Sequence, residues 1–445
     1  MKKVIVFGAG RSSGALIAHL LNYSNYHSLQ VTVVDRDLSL ANKKVNNHPN
    51  ASILSIDIND IAATDKLISD HDVVISLMPP DLHIIIAHAC INNKRHLITA
   101  SYLSDAIREL HDKVDNAGIL FLCEMGLDPG LDHMSAMKII DNVHLQKGNI
   151  HSFKSWCGGL VAPECDTNPW HYKISWNPKN VVCAGQATAR YIRNGNNCYI
   201  PPQRIFSHIE DIQVGPYGKY EGYANRDSIS YKKPYRLDNI HTLLRGTLRH
   251  EGYCHAWQAL VKLGLTDDTY KVHFEKPTTY REWLMSYLPY VINLSEIENA
   301  LCDFLEIAIH DDLLNKIKSL DLLSEKIIPL NDCSPADILM DRILLYWKMD
   351  ESDKDLVVLL HEFIYTIDTK SYKHTSILYL KGDDAEHTAM AKTVGLPMAM
   401  ATILLLENKL QLRGVHIPTH KVIYTQVLPM LEKEGIIFEE DIQLL

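Results

Sequence analysis

What most constrains this chain is an alternation within residues 1–125, in which short β-branched apolar runs are each followed by a turn and an amphipathic stretch. The runs fall at 4–7, 30–34, 52–56, 73–77, 96–99 and 119–123, and stretches such as 14–21 and 84–91 place apolar residues at helical spacing. Strands that are apolar along their whole length belong to a parallel sheet covered on both faces. Right-handed crossovers make such a sheet doubly wound. The expected fold is α/β, with a Rossmann-type doubly wound parallel sheet.

After Gly126 the texture changes. Residues 150–270 are rich in Gly, Pro, Trp and Tyr, with short alternating strands such as 153–157, which predicts a mixed-sheet α+β substrate domain. Leucine-rich helical patterning at about 277–346 reads as a helical insertion. Residues 354–365 and 377–382 read as paired strands returning to that sheet, and 386–406 and 421–435 as helices packing back on the first domain. The expected organisation is a dinucleotide-binding domain at 1–130 completed by 385–445, and a substrate and dimerisation domain at 131–384.

The net charge of −10 and pI near 6.1 argue against a nucleic-acid or anionic-membrane partner. Nine cysteines, odd in number and without C-x-x-C spacing, predict free thiols in a reducing compartment, with no disulfide framework and no metal site. The 23 histidines show no metal spacing either. No apolar run approaches the roughly 20 residues of a membrane-spanning helix. The first strand begins near residue 3, leaving no room for a leader, so the expected location is cytoplasmic.

The first strand leads into Gly8-Ala9-Gly10-Arg11-Ser12-Ser13-Gly14 and then a helix. Gly8 permits the tight turn, Gly10 lets backbone approach a pyrophosphate, and the helix N-terminus offers N–H groups and a positive dipole end. Ser13 stands at the usual third glycine, with Gly14 one place later, so the fingerprint is a variant. Asp35 ends the second strand, where a carboxylate accepts from the adenosine ribose and repels a 2′-phosphate; this favours NAD. Arg36 could instead pair with that phosphate, which keeps NADP open. Ser76 and Leu77, ending the fourth strand before Pro79-Pro80, are expected on the nicotinamide side.

Three blocks go beyond a generic dinucleotide fold: Thr99-Ala100-Ser101-Tyr102, Gly126-Leu127-Asp128-Pro129-Gly130-Leu131-Asp132-His133-Met134, and Trp156-Cys157-Gly158-Gly159-Leu160. With Tyr223-Ala224-Asn225-Arg226-Asp227-Ser228, the segment from His241 to Arg249, and that from Ala389 to Ala399, they resemble the saccharopine dehydrogenase (L-glutamate-forming, saccharopine reductase) family. The resemblance implies oxidation of saccharopine with NAD(P) and water to L-glutamate and 2-aminoadipate 6-semialdehyde, or the reverse, in lysine metabolism, by a homodimer. It also implies cofactor contacts at Asp57, Ile58, Ser101, Leu127, Asp128 and Pro129. Substrate contacts are implied at Ser101, Tyr102, Asp128, Cys157, Arg226, Arg245, Thr247, Leu248 and Arg249.

Chemically, such a substrate needs guanidinium partners for its carboxylates, removal of a proton from the amine before hydride can leave, and activation of water. The resemblance puts Tyr102, Asp128 and Cys157 in catalytic roles, though spacing marks none of them as the base. Asp128 either holds the amine or orients water, or it only caps the helix near Leu131. Cys157 is otherwise a small core filler, and His133 reads as a packing or capping residue. Two other readings stay open. A related secondary-amine dehydrogenase should lose the Ala-Ser-Tyr and Gly-Leu-Asp-Pro-Gly blocks, and a nucleotide sensor should show decay in the substrate blocks.

Overall fold

The computed structural model describes residues 1–289, 293 and 296–445. The chain forms two compact units, one of Met1–Asn149, Thr366–Lys370 and Glu386–Glu439, the other of Ile150–Tyr365, Ser371–Ala385 and Glu440–Leu445.

In the first unit, β1 (Lys2–Phe7), β2 (Leu29–Val34), β3 (Ala51–Leu54), β4 (Val73–Ser76), β5 (His96–Thr99) and β6 (Leu120–Leu122) join the short strand Gly414–His416 in one seven-stranded sheet. The order is Gly414–His416, β6, β5, β4, β1, β2, β3, and every pairing is parallel. β1 is buried from Val4 to Phe7, as a strand with helices on both faces must be. The chain winds outward through β2 and β3, then returns to the other side of β1 at β4. That reversal puts the ligand crevice of such sheets at the carboxyl ends of β1 and β4.

The helix Ala389–Leu406 has a mean hydropathy of 1.6 and is long and apolar enough to cross a membrane, but 83 % of it is buried, as in a core helix. Thr388 starts it by accepting from Ala391 N at 3.0 Å. Its Gly395 lies against the helix Gly14–Ser24 so closely that a Cβ there would sit 2.8 Å from Leu16 N.

The second unit holds β7 (Asn149–Val161), β8 (Ala189–Arg193), β9 (Asn196–Ile200), β10 (Ile209–Gln213), β11 (Lys219–Ala224), β12 (Thr242–Arg249), β13 (Asp355–Ile367) and β14 (Lys370–Lys381). If Gly414–His416 is β15, the last strand is β16 (Glu439–Leu444). The nine-stranded sheet runs β10, β11, β12, β7, β13, β14, β16, with β8 bridging β12 and β9. It is mixed: β12 runs parallel to β7 and antiparallel to β11.

Among the described residues of 277–346 there are four helices, Tyr280–Met285, Ile297–Leu305, Asp312–Ser319 and Pro335–Tyr346; positions 290–292, 294 and 295 lie outside the described residues. Capping boxes open two of them, Thr279 with Glu282 and Ser334 with Asp337. Their buried residues, such as Leu301, Leu314 and Ile343, share one core with Trp156, Trp170 and Trp257. The insertion is therefore part of the second unit's core.

Three features differ from the sequence expectation. The helix Leu131–Leu145 belongs to the first unit, beyond the expected boundary at 130. β15 extends the first sheet and β16 returns to the second, so the tail serves both units. A three-residue strand carries no periodicity to read, and β16 is exposed at all six positions, without an apolar face. All nine cysteines are free thiols.

Candidate active site

Gly8 leaves β1 at φ +106°, a conformation side chains rarely adopt, and a Cβ there would lie 3.2 Å from Leu77 Cβ. Its N–H donates to Val34 O at 2.8 Å, tying the turn to β2. A Cβ on Gly10 would meet nothing within 4 Å, so the backbone there faces open space. A single 3₁₀ turn, Arg11–Ser13, leads into the helix Gly14–Ser24. Ser13, the departure from the fingerprint, is buried and donates to Gly10 O at 2.8 Å, closing the turn that a glycine would leave open. An open glycine cradle before a helix N-terminus fits a dinucleotide pyrophosphate.

Asp35 is half-buried, and both its oxygens are committed to backbone: Oδ2 accepts from Ala9 N at 2.6 Å and Oδ1 from Asp37 N at 2.9 Å. The carboxylate thus braces the glycine loop. Arg36 beside it is exposed, as is Arg11. Asp57 is exposed and accepts from Asn59, which with the Arg36 charge holds its carboxyl below the usual range; Ile58 is buried.

At the carboxyl ends of β4 and β5 lies a chain of short polar contacts. Ser76 Oγ is 2.8 Å from His83 Nδ1, and His83 Nε2 is 2.8 Å from Ser101 Oγ and 3.4 Å from Thr99 Oγ1. Burial alone pushes the His83 imidazole down to about 4. Leu77 is half-buried and donates its N–H to Phe7 O.

The Gly-Leu-Asp-Pro-Gly block is a tight turn. Gly126 N donates to Pro129 O at 3.0 Å and Leu131 N to Gly126 O at 2.8 Å, while the Asp128–Pro129 peptide is cis. Leu127 and Pro129 are buried, and half-buried Asp128 receives the Tyr102 hydroxyl at 3.2 Å on Oδ1. The helix N-cap is Gly130, whose N–H donates to Asp132 Oδ1 at 2.6 Å.

Beneath the turn lies a cluster that the sequence reading missed. His133, fully buried, is 2.8 Å from Glu124 Oε2 and 3.5 Å from Asp132 Oδ2. Glu124 Oε1 accepts from Leu103 N at 3.0 Å, its own N–H donates to Ser101 O, and Asp132 Oδ1 accepts from Gly130 N at 2.6 Å. The cluster therefore ties the Ser101–Leu103 loop to the Asp128 turn. The one available signal was the run of acids and a histidine around an apolar helix start, which composition alone does not separate from a solvated face.

In the second unit, Cys157 on β7 is buried opposite Thr247 on β12. Arg226, just past β11, is exposed at φ +49°. Arg245 is buried, with its guanidinium 4.3 Å from the Tyr231 ring centre. Arg249 is 3 % exposed among the rings of Tyr172, Tyr223 and Tyr253, at 5.2, 5.8 and 5.2 Å. Leu248 is fully buried and Thr247 half-buried. Of the three arginines, Arg226 is the one open to solvent.

Two family models match, the saccharopine dehydrogenase NADP binding domain over residues 4–122 and the saccharopine dehydrogenase C-terminal domain over residues 126–436. The chain is 34 % identical over 447 residues, 99 % of each chain, to saccharopine dehydrogenase [NADP(+), L-glutamate-forming] of Saccharomyces cerevisiae. It is 35 % identical over 452 residues to the mitochondrial alpha-aminoadipic semialdehyde synthase of Bos taurus, 98 % of this chain but 47 % of that protein. The chain thus spans about half the length of that animal relative. The solved structure of apo saccharopine dehydrogenase (L-Glu forming) from Saccharomyces cerevisiae superposes with a TM-score of 0.88 at 31 % identity, covering 100 % of both chains. The expected preference for NAD finds no support, since the N-terminal match is to an NADP binding domain. The fold is that of a dinucleotide-binding oxidoreductase, and the chain belongs to the saccharopine dehydrogenase family.

Proposed function

We propose that this chain oxidises saccharopine with NADP and water to L-glutamate and 2-aminoadipate 6-semialdehyde, or runs the reverse reaction. The observation that carries this reading is 34 % identity over 99 % of both chains to the yeast enzyme bearing that name, with the Ser101-Tyr102 and Gly126–Gly130 blocks present. When bound, the nicotinamide accepts a hydride from the substrate carbon. The chain's own residues do the rest. Gly8, Gly10 and the backbone from Arg11 to Gly14 hold the pyrophosphate, and Ser76 and Leu77 flank the nicotinamide. With Asp35 engaged by Ala9 and Asp37, exposed Arg36 is the group that meets a 2′-phosphate, which favours NADP.

An ammonium nitrogen has no lone pair to expel hydride, so a proton must leave first. In this reading Asp128 receives it, with Tyr102 donating to the carboxylate and holding its orientation. Exposed Arg226 takes a substrate carboxylate. Arg245 and Arg249, stacked on tyrosines, steady β12, which presents Thr247 opposite Cys157. The free thiols fit a cytoplasmic setting, and we read the assembly as a homodimer, which light scattering tests.

The decisive assay is absorbance at 340 nm with the purified chain, saccharopine, and NAD or NADP in parallel, run in both directions. Reduced cofactor that appears only with saccharopine, faster with NADP, supports the reading. Protein that binds NADPH yet turns over saccharopine with neither cofactor overturns it.

A further inference from the structure

The Ser76–His83–Ser101 chain has a direction, and the direction follows from counting hydrogens. Its members sit at the carboxyl ends of the adjacent strands β4 and β5, where Ser76 pairs with Thr99 in register. Ser76 is fully buried, His83 is 2 % exposed and Thr99 1 %, while Ser101 is only half-buried. The imidazole carries no charge near neutrality, since burial lowers it to about 4. A neutral ring has one N–H and one bare nitrogen, so it donates once and accepts once.

The Ser76 hydroxyl has a single partner among the described residues, His83 Nδ1 at 2.8 Å. If Nδ1 carried the proton, the Ser76 hydrogen would be buried with nothing to accept it, a costly arrangement. If Nδ1 is bare, Ser76 donates to it and is satisfied. The proton then resides on Nε2, between Ser101 Oγ at 2.8 Å and Thr99 Oγ1 at 3.4 Å. The opposite tautomer would keep the 2.8 Å contact with Nδ1 as the donor but leave the Ser76 hydrogen without an acceptor, and the acceptor it would offer Thr99 lies at 3.4 Å, too long for a good bond.

We propose that His83 is a positioning residue, held as the Nε2–H tautomer by Ser76, whose donation to Ser101 Oγ turns the Ser101 hydrogen outward to a ligand oxygen acceptor. Ser101 N donates to Thr99 Oγ1 at 3.2 Å and Ser101 O accepts from Glu124 N at 3.0 Å, so the residue's backbone is fixed as well. Its hydroxyl hydrogen is then available to an oxygen acceptor. The acceptor is a carboxylate of the amino-acid substrate or the carboxamide oxygen of the nicotinamide. That Ser101 meets a ligand rests on the function proposed above; the tautomer does not.

The test therefore begins without ligand. Nitrogen-15 NMR of the full chain labelled in histidine side chains, with the His83 resonances identified by their loss in Ser76→Ala/His83→Phe, should show a protonated Nε2 and a bare Nδ1 at pH 7. A protonated Nδ1, or a charged ring, overturns the proposal whether or not the protein is active. Because His83→Phe strands the Ser76 hydroxyl and can fail to fold, kinetics use Ser76→Ala/His83→Phe, which removes both ends of the contact. Loss of an oriented donor to an oxygen should weaken one constant about 10- to 100-fold. A rise in the KM for saccharopine identifies the carboxylate, and a rise in the Kd for NADPH that Ser101→Ala reproduces identifies the carboxamide. Both constants within twofold of wild type, in protein that melts normally, overturn the positioning role.

Discussion

Gly130→Ala should cripple the Asp128 turn, while Gly126→Ala four residues earlier should be tolerated. Gly130 sits at φ +146°, and a Cβ there would lie 2.2 Å from Gly126 O and 2.4 Å from Gly126 N. Both atoms are backbone, so nothing can swing aside. Relieving the overlap means parting Gly126 from Gly130 and losing the contacts Gly126 N to Pro129 O and Leu131 N to Gly126 O, each worth about 1 kcal/mol. Adding about 1–3 kcal/mol for the strained conformation gives a loss of roughly 3–5 kcal/mol. A Cβ at Gly126, by contrast, meets Ala100 Cβ at 3.1 Å and Pro129 O at 3.2 Å, which shifts of a few tenths of an ångström absorb for about 1 kcal/mol. At roughly 2–4 °C per kcal/mol for a unit of this size, Gly130→Ala should melt about 10 °C lower and Gly126→Ala about 3 °C lower. Displacing Asp128 by about 1 Å should also cut turnover on the order of 100-fold. Melting followed by circular dichroism, with the 340 nm assay on the same samples, checks both. If Gly130→Ala melts within about 2 °C of wild type and keeps its rate, the turn does not hold Asp128 as described.

Arg36→Ala should raise the NADP constant about 10- to 100-fold, the loss of a charge-assisted contact, and leave NAD unchanged; parallel titrations decide it. Asp35→Asn should weaken both cofactors, because the carboxylate serves the glycine loop through Ala9 N; tighter NADP with weaker NAD would mean that it reads the ribose after all. Gly395→Ala gains about 1 kcal/mol of helix propensity but drives a methyl to 2.8 Å from Leu16 N. The overlap, about 1–3 kcal/mol, should win, lowering the melting temperature and weakening NADPH binding measured by fluorescence. The fourth concerns pH. Unfolded His83 takes a proton below its ordinary 6.5, while the folded ring refuses one until about 4. As pH falls through that window the unfolded state binds more protons and His83 withdraws about 1.4 kcal/mol per pH unit, roughly 3 kcal/mol in all. Denaturant titrations from pH 7 to 4 should show a shallower decline in Ser76→Ala/His83→Phe than in wild type; equal slopes would contradict a buried neutral ring.

Residue order alone reaches far in this protein where the governing physics is local or periodic. Fully apolar runs such as Val4–Phe7 announce a strand covered on both faces, and Gly8, with its positive φ, announces the turn that follows. Six strands of the parallel sheet, the mixed character of the second sheet and the residue blocks of the family were legible that way. Tertiary structure decided what each polar group is paired with. Asp35 looks like a ribose ligand in sequence, and in the fold its two oxygens also accept from the backbone of Ala9 and Asp37. Arg249 looks like a carboxylate binder and lies among three tyrosine rings. His83 carries no motif and His133 reads as a packing or capping residue, yet one joins Ser76 to Ser101 and the other stands between two carboxylates. β15 finds its place by pairing with β6, some three hundred residues earlier in the chain. Hydrophobic periodicity fixes which face of an element is buried. The partner of a buried donor or acceptor is set by desolvation, which acts on atoms brought together across the fold and leaves no repeat in the chain.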